Sequence, residues 1–508
     1  MGGDTLNAEV IVVGAGSAGS AAARRLIDAG LSVLVLEAGG PDSNEAIHVP
    51  ARCHELWFSE EDWAYHTVPQ EHAAGRSLHW PRGRVLGGSG SLNGMIQVRG
   101  APADYDSWAY AGNDGWRWED VRPTFLAMED FDRGASPWHG VGGPLRIHTL
   151  WEPSPVHRAI EHAAAEIGIP RNDDYNAERQ DGFSYMQMTV ADRRRHSSAS
   201  GYLGPLRGDP RLRLSLRAHT RRLLIERGRC VGVEFEQDGA LRQARAEAEV
   251  ILAAGTIESP RLLMLSGIGP AEHLRALGID VLVDLPGVGE NLHDHLLAPV
   301  ICSVERPIAD PQDGLWWAES HMFWRSRPGL AVPDLQPIFF SVPAYLDWME
   351  GPPNGITLYG GIVRPVSRGS LRLTSADPDA ALHIDPRILS ADADLDALEA
   401  STALCRSMAA TAALAEWGAR ELYPGPAGDD SRALRDYIRR SVVTYHHQVG
   451  TCRMGTDERA VVDPRLRVHG VAGLRVADAS IMPSVTTGNT NAPSVMIGER
   501  VAAFVTAG

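Results

Sequence analysis

Apolar and glycine positions alternate in a distinctive order at the start of the chain. A β-branched run at residues 10–13 leads into Gly14, Gly16 and Gly19. A small-residue segment at 20–29 and a second apolar run at 33–36 follow. Short apolar runs separated by a glycine turn and a helical stretch predict strand, turn, helix, strand. The pattern returns at 249–252, with a turn through Ala253, Ala254 and Gly255 and a helix over 261–265, where Pro260 suits a first turn. Further strands are predicted at 356–363, 370–374 and 474–477, and helices at 393–410 and 494–504. No internal repeat or low-complexity segment interrupts this order. The fold class expected is α/β, α+β overall, from a chain long enough for two or three structural units.

The first unit carries chemistry. Gly14 allows a tight turn, Gly16 lets backbone approach a pyrophosphate, and Gly19 lets helix and strand pack closely. The helix start at Ser17 and Ala18 presents free N–H groups to phosphates. Glu37, followed by Ala38, ends the second strand 23 positions after Gly14. Its carboxylate is placed to accept from a ribose hydroxyl pair and to repel a 2′-phosphate, which disfavours NADP. A Rossmann-like dinucleotide site is therefore expected. NAD and FAD both satisfy the unit, and its position at the chain start leans towards FAD.

Composition narrows the options. Acidic residues number 64 against 48 basic ones, a net charge of −16. Every basic residue is arginine, which excludes a Schiff-base, P-loop or general-base lysine. The acidic balance argues against nucleic acid or an anionic membrane as partner, and no apolar run is long enough to span a bilayer. The opening residues 1–7 are polar and lack a basic region, so no secretory signal is expected. Five scattered cysteines make neither a disulfide framework nor a CxxC knuckle. Together these features fit a cytoplasmic location.

A second glycine cluster spans residues 83–94, including Gly83, Gly87, Gly88, Gly90 and Gly94, with Val85, Leu86 and Leu92 interleaved. Such a loop suits close approach to a flat or phosphorylated ligand. With four later motifs it resembles the glucose–methanol–choline (GMC) flavoprotein oxidoreductases. Those motifs are the run from Gly255 to Gly269, Gly287-Val288-Gly289-Glu290-Asn291-Leu292-His293-Asp294-His295, His447-Gln448-Val449-Gly450-Thr451, and the box from Gly488 to Pro493. The resemblance spans residues 8–498. It implies a discontinuous FAD-binding domain (1–152, 192–305 and 441–508), a sheet-plus-helices substrate domain (153–191 and 306–440), and oxidation of an alcohol. It also implies flavin contacts from Arg84, Gly87, Gly88, Asn93, Gly94, Met95, Asp478, Ala479, Asn489 and Asn491. Leu92 stands near where relatives with a histidyl-linked flavin carry histidine, so noncovalent FAD is expected.

Alcohol oxidation needs a base for the hydroxyl proton while hydride leaves to flavin N5, and neutral imidazole suits this role. By resemblance the base is His447 and its partner Asn491, which is also placed to cap the last helix. Neighbouring side chains on extended backbone face opposite ways, so His446 is expected to point away from His447, as pocket wall or as core. His293 and His295 form an i, i+2 pair without a third ligand, and no metal is expected. The run from Arg193 to His196 reads as a solvated loop. Trp316, Trp317, Trp324, Tyr345 and Trp348 are read either as walls for an aromatic or medium-sized primary alcohol or as ordinary core. The electron acceptor, oxygen or a quinone-like molecule, is left open. The alternatives are a flavin-containing hydroxynitrile lyase, which would use the same histidine without redox, and a polyol or sugar dehydrogenase.

Overall fold

The computed structural model describes residues 6–507; the first five residues of the polar opening lie outside them. Two sheets organise the chain. The first is ordered Leu212–Ser215, Val33–Leu36, Leu6–Val13, Ala240–Leu252, Arg229–Gln237 and His219–Glu226, and Leu474–Val476 also pairs with Ala240–Leu252. Its nucleotide-facing half is parallel and its last three strands form an antiparallel meander. Val10, Ile11, Val12 and Leu34 are fully buried, as parallel strands covered on both faces must be. The second sheet is antiparallel, ordered Arg420–Tyr423, Leu296–Ser303, Gly355–Ile362, Ile338–Phe340, Ser320–Phe323 and Gly182–Tyr185. The helix Asp392–Ala409 supplies Cys405 and Met408 to a separate core beneath this sheet, with Ile160, Phe183 and Ile356.

Three departures from the expected elements have local causes. The opening helix is Ser17–Asp28, beginning directly after Gly16, because Gly14 at φ +102° completes the turn early. The helix expected at 261–265 is Gly255–Leu265, with Pro260 inside it. Proline removes one N–H from the ladder. The Thr256 carbonyl left without that donor accepts from the Thr451 hydroxyl at 2.5 Å. Lastly, Leu296–Ser303, expected in the FAD-binding unit, pairs with Gly355–Ile362 along its whole length and belongs to the second sheet. Its unbroken apolar run fits the buried centre of either sheet, so composition alone does not assign it.

The opening helix packs against the last helix, Asn491–Thr506. A Cβ on Gly498 would lie 2.1 Å from the Ala18 carbonyl oxygen, so glycine is required for this crossing. The contact brings the start of the last helix to the glycine turn. The five cysteines are buried and unpaired.

Candidate active site

A cavity of about 1050 Å³ runs between the two sheets, large for a single small ligand. Gly14, Gly16, Ser17, Ala18, Glu37 and Ala38 line one part of it. Gly88, Asn93, Gly94 and Met95 form another wall, Asp478, Ala479 and Asn491 a third, and His446, His447 and Asn489 close the far end.

The nucleotide end fits a dinucleotide. A Cβ on Gly88 would come within 2.8 Å of the Gly16 Cα, so two bare backbones form a slot. No side chain caps the helix at Gly16, which leaves its first N–H groups for phosphate. The Glu37 carboxylate accepts from the Ala15 and Gly39 amides, both at 2.9 Å, and keeps lone pairs for ribose hydroxyls. Burial pushes it up to about 7, against those two amides and the charge of Arg84. Asp478 accepts from the Gly255 amide at 2.9 Å and the Ser259 hydroxyl at 2.6 Å, tying the second strand–turn–helix unit to the cavity. Three expected contacts do not line the cavity. Gly19 serves packing, since a Cβ there would meet the Gly14 oxygen at 1.9 Å. Gly87 shapes its loop at φ +93°. Arg84 lies over the Trp63 ring at 4.8 Å.

At the far end of the cavity His447 is 7% exposed. Its Nε2 accepts from Asn489 Nδ2 at 3.1 Å, and its Nδ1 meets His295 Nδ1 at 3.0 Å. Its backbone N–H donates to Asp294 at 2.8 Å, and the Tyr445 ring stacks on it at 4.7 Å. Burial, then His295, holds the His447 ring well below the ordinary imidazole value. It is therefore neutral at neutral pH and able to accept a proton.

The structure thus pairs His447 with Asn489, not Asn491. Asn491 is the first residue of the last helix and caps nothing; its Oδ1 accepts from the Ser17 hydroxyl at 2.7 Å. Two positions on a tight helix entry point to different neighbours, which spacing from His447 does not resolve. The expected alternation of His446 and His447 also fails. His446 sits at φ +65°, outside extended geometry, so both rings line the cavity. The His446 ring meets Trp57 edge-on at 5.3 Å, and its carbonyl accepts from Arg82 at 2.8 Å.

Several contributors were missed or read otherwise in the sequence. Of the pair weighed as a metal site, His295 meets the His447 ring. Asp294 accepts from Thr444, Gln448 and the His447 backbone, burial pushing its carboxyl up to about 6. His293 accepts from the Val485 amide at 2.9 Å. Arg195, read as part of a solvated loop, is buried. It donates to the Ile47 carbonyl and to both the carbonyl and side-chain oxygens of Asn93, each at 2.7 Å, gripping the glycine loop from behind. Glu258 lines the cavity and accepts from Tyr65 and Arg261. Of the aromatic set, Trp316, Trp317 and Tyr345 line the cavity. Trp324 packs in the second core and Trp348 lies under Arg440.

A dinucleotide cradle continuous with a neutral imidazole and a carboxamide defines a nucleotide-cofactor oxidoreductase. The chain belongs to the GMC oxidoreductase family, whose model matches residues 8–297 and 365–498; members of this family are FAD flavoproteins. It is 39% identical to the oxygen-dependent choline dehydrogenase of Brucella melitensis, covering 98% of this chain and 96% of the relative. Mitochondrial choline dehydrogenase of Mus musculus is also 39% identical, over 97% and 89% of the two chains. Among solved structures, pyridoxine 4-oxidase from Mesorbium loti shares 36% identity at TM-score 0.93, covering 98% and 99%. Formate oxidase of Aspergillus oryzae RIB40, studied for FAD modification, shares 26% at TM-score 0.92, covering 99% of both. No helix among the described residues is long and apolar enough to cross a membrane.

Proposed function

We propose that this protein oxidises an aromatic or heteroaromatic primary alcohol to the aldehyde, with noncovalent FAD and oxygen as the final acceptor. The observation that carries this reading is the His447–Asn489 pair at the end of the cavity that begins in the glycine cradle. The entering alcohol replaces their mutual contact. Its oxygen accepts from Asn489 Nδ2, and its proton passes to His447 Nε2. FAD, when bound, supplies the acceptor for the carbinol hydride. Leu92, buried at the cavity wall, has no atom to bond a flavin ring covalently.

Ring substrates are favoured by the walls. Trp316 and Phe340 meet edge-to-face at 5.3 Å and Phe340 and Tyr359 at 5.7 Å, all facing the cavity. The carboxylates lining the cavity among the described residues are Glu37, Glu258, Asp347 and Asp478. Glu37 and Asp478 belong to the nucleotide end, Glu258 is taken up by Tyr65 and Arg261, and Asp347 is exposed. No buried anion therefore awaits a quaternary ammonium, which favours the pyridoxine 4-oxidase relative over the choline dehydrogenases as a guide to substrate.

An anaerobic screen of benzyl alcohol, pyridoxine and choline, followed by admission of air, tests this. Bleaching by the ring alcohols and prompt return of colour are expected. Bleaching by choline alone rejects the substrate class, and a flavin that stays yellow with every alcohol rejects the oxidation. Acid denaturation is expected to release the yellow chromophore; colour retained on the polypeptide refutes noncovalent binding.

A further inference from the structure

Asn489 faces a second carboxamide. Gln336, fully buried beside the strand Ile338–Phe340, donates through Nε2 to Asn489 Oδ1 at 2.9 Å and to His321 Nδ1 at 3.1 Å. His321, on the neighbouring strand Ser320–Phe323, is also fully buried. The contacts make one chain from the substrate-side sheet to the base: Gln336 to Asn489, Asn489 to His447 Nε2, and His447 Nδ1 to His295 Nδ1.

A carboxamide donates at one end and accepts at the other, so such a chain runs in one direction or the reverse. With Gln336 donating, Asn489 must offer its NH₂ to His447. Nε2 is then bare and the ring proton sits on Nδ1, towards His295. With the chain reversed, Asn489 offers its oxygen, Nε2 carries hydrogen, and no lone pair meets the alcohol. We propose that Gln336 and His321 are positioning residues that fix this direction and so hold His447 in its base-competent tautomer. This rests on His447 being the base, as proposed above. His321 selects the direction because its Nδ1, when bare, forces Gln336 to donate. The ring stays neutral in its apolar surroundings, against Tyr175 at 4.5 Å and Phe323 at 5.1 Å.

The other groups facing His447 do not set its tautomer through Nε2. His295 meets only Nδ1, Tyr445 only stacks, Asp294 holds the backbone N–H, His446 turns its ring to Trp57, and Arg82 acts through charge. The substrate-side sheet thus governs a proton position on the other half of the molecule.

Gln336→Glu replaces the shared donor by an acceptor at almost unchanged volume. Asn489 should turn its NH₂ to the introduced carboxylate and its oxygen to His447. In holoenzyme labelled with ¹⁵N-histidine, the His447 resonances, assigned by their loss in His447→Ala, should change from bare Nε2 to protonated Nε2. The acid limb of the anaerobic flavin-reduction rate against pH should move up by about one unit, a tenfold tighter proton. A parent-like tautomer with the limb unmoved overturns the proposal, even if the rate falls. Should Gln336→Glu fail to retain FAD, Gln336→Met serves: mixed tautomers and an approximately tenfold lower rate at unchanged KM are expected, and a single parent-like tautomer overturns it. The spectrum needs no turnover, so failure of every alcohol to bleach the flavin would count against the function alone.

Discussion

The two ends of the cavity are built by opposite means. At the nucleotide end most of the decisive groups come from one short stretch, Gly14 to Gly39, with Gly88 opposite, and act largely through backbone. A slot is kept open by absent side chains, and a carboxylate is held by the amides of Ala15 and Gly39. At the catalytic end His295, His321, Gln336, His447 and Asn489 come from five separate segments and act through side-chain atoms about 3 Å apart. Binding a common cofactor needs a local shape, whereas choosing a proton's position needs several side chains to agree. Damage at the two ends should therefore have different signatures.

The largest expected effect is loss of the cofactor. Gly19→Val places a Cβ 1.9 Å from the Gly14 oxygen, and the purified protein should be colourless by flavin absorbance. His447→Ala should stay yellow while alcohol-driven bleaching slows by about 10²–10⁴-fold, the range for removing a general base. Yellow Gly19→Val protein or unslowed His447→Ala would erase the contrast between the ends. Next in size is the test that separates two neighbouring carboxamides. Asn489→Ala should slow bleaching about 10–100-fold, corresponding to a lost hydrogen bond of about 1.5–3 kcal/mol in the reaction. Asn491→Ala, which loses only the bond from Ser17, should instead weaken FAD retention and change the rate less than about threefold. Equal rate losses would show that the helix entry works as a unit.

This contrast also explains what the sequence disclosed. The strand–turn–helix unit, the second unit ending in Gly255–Leu265 and the strand at Val33–Leu36 follow from local apolar period and glycine position; all are present, although the second unit's strand and helix begin nine and six residues before the expected starts. His447 was reachable through its motif. Asn489 against Asn491 was not, because the choice depends on which residue begins the helix. Gln336 carried no signal at all, since one glutamine among apolar neighbours gains meaning only when a strand from another segment brings His321 beside it. Arg195 was hidden for a related reason. Three consecutive arginines read as surface, yet Arg193 and Arg194 are exposed while Arg195 turns inward to Asn93. The left-handed backbone of His446 likewise broke a rule that holds only for extended chain.

The smallest expected effect concerns acid stability, where buried imidazoles and buried carboxyls should oppose each other. Burial holds His157, His295, His321 and His446 down to about 3. Below about pH 6.5 the unfolded chain takes up protons that the folded one refuses. Stability present above that pH is therefore lost as pH falls, by up to about 1.4 kcal/mol per unit for each ring. Glu37 and Asp294, pushed up to about 7 and about 6, act in the opposite sense. The folded state holds their protons more tightly, so their contribution rises as pH falls from 7 towards 4. Four imidazoles outweigh two carboxyls, and the thermal midpoint read by flavin fluorescence should fall between pH 7.5 and 5.0. A flat or rising midpoint would mean that the carboxylates govern. His157 does not line the cavity and meets Ser320 at 2.7 Å, so His157→Asn should lessen the acid slope by one proton while leaving the bleaching rate unchanged.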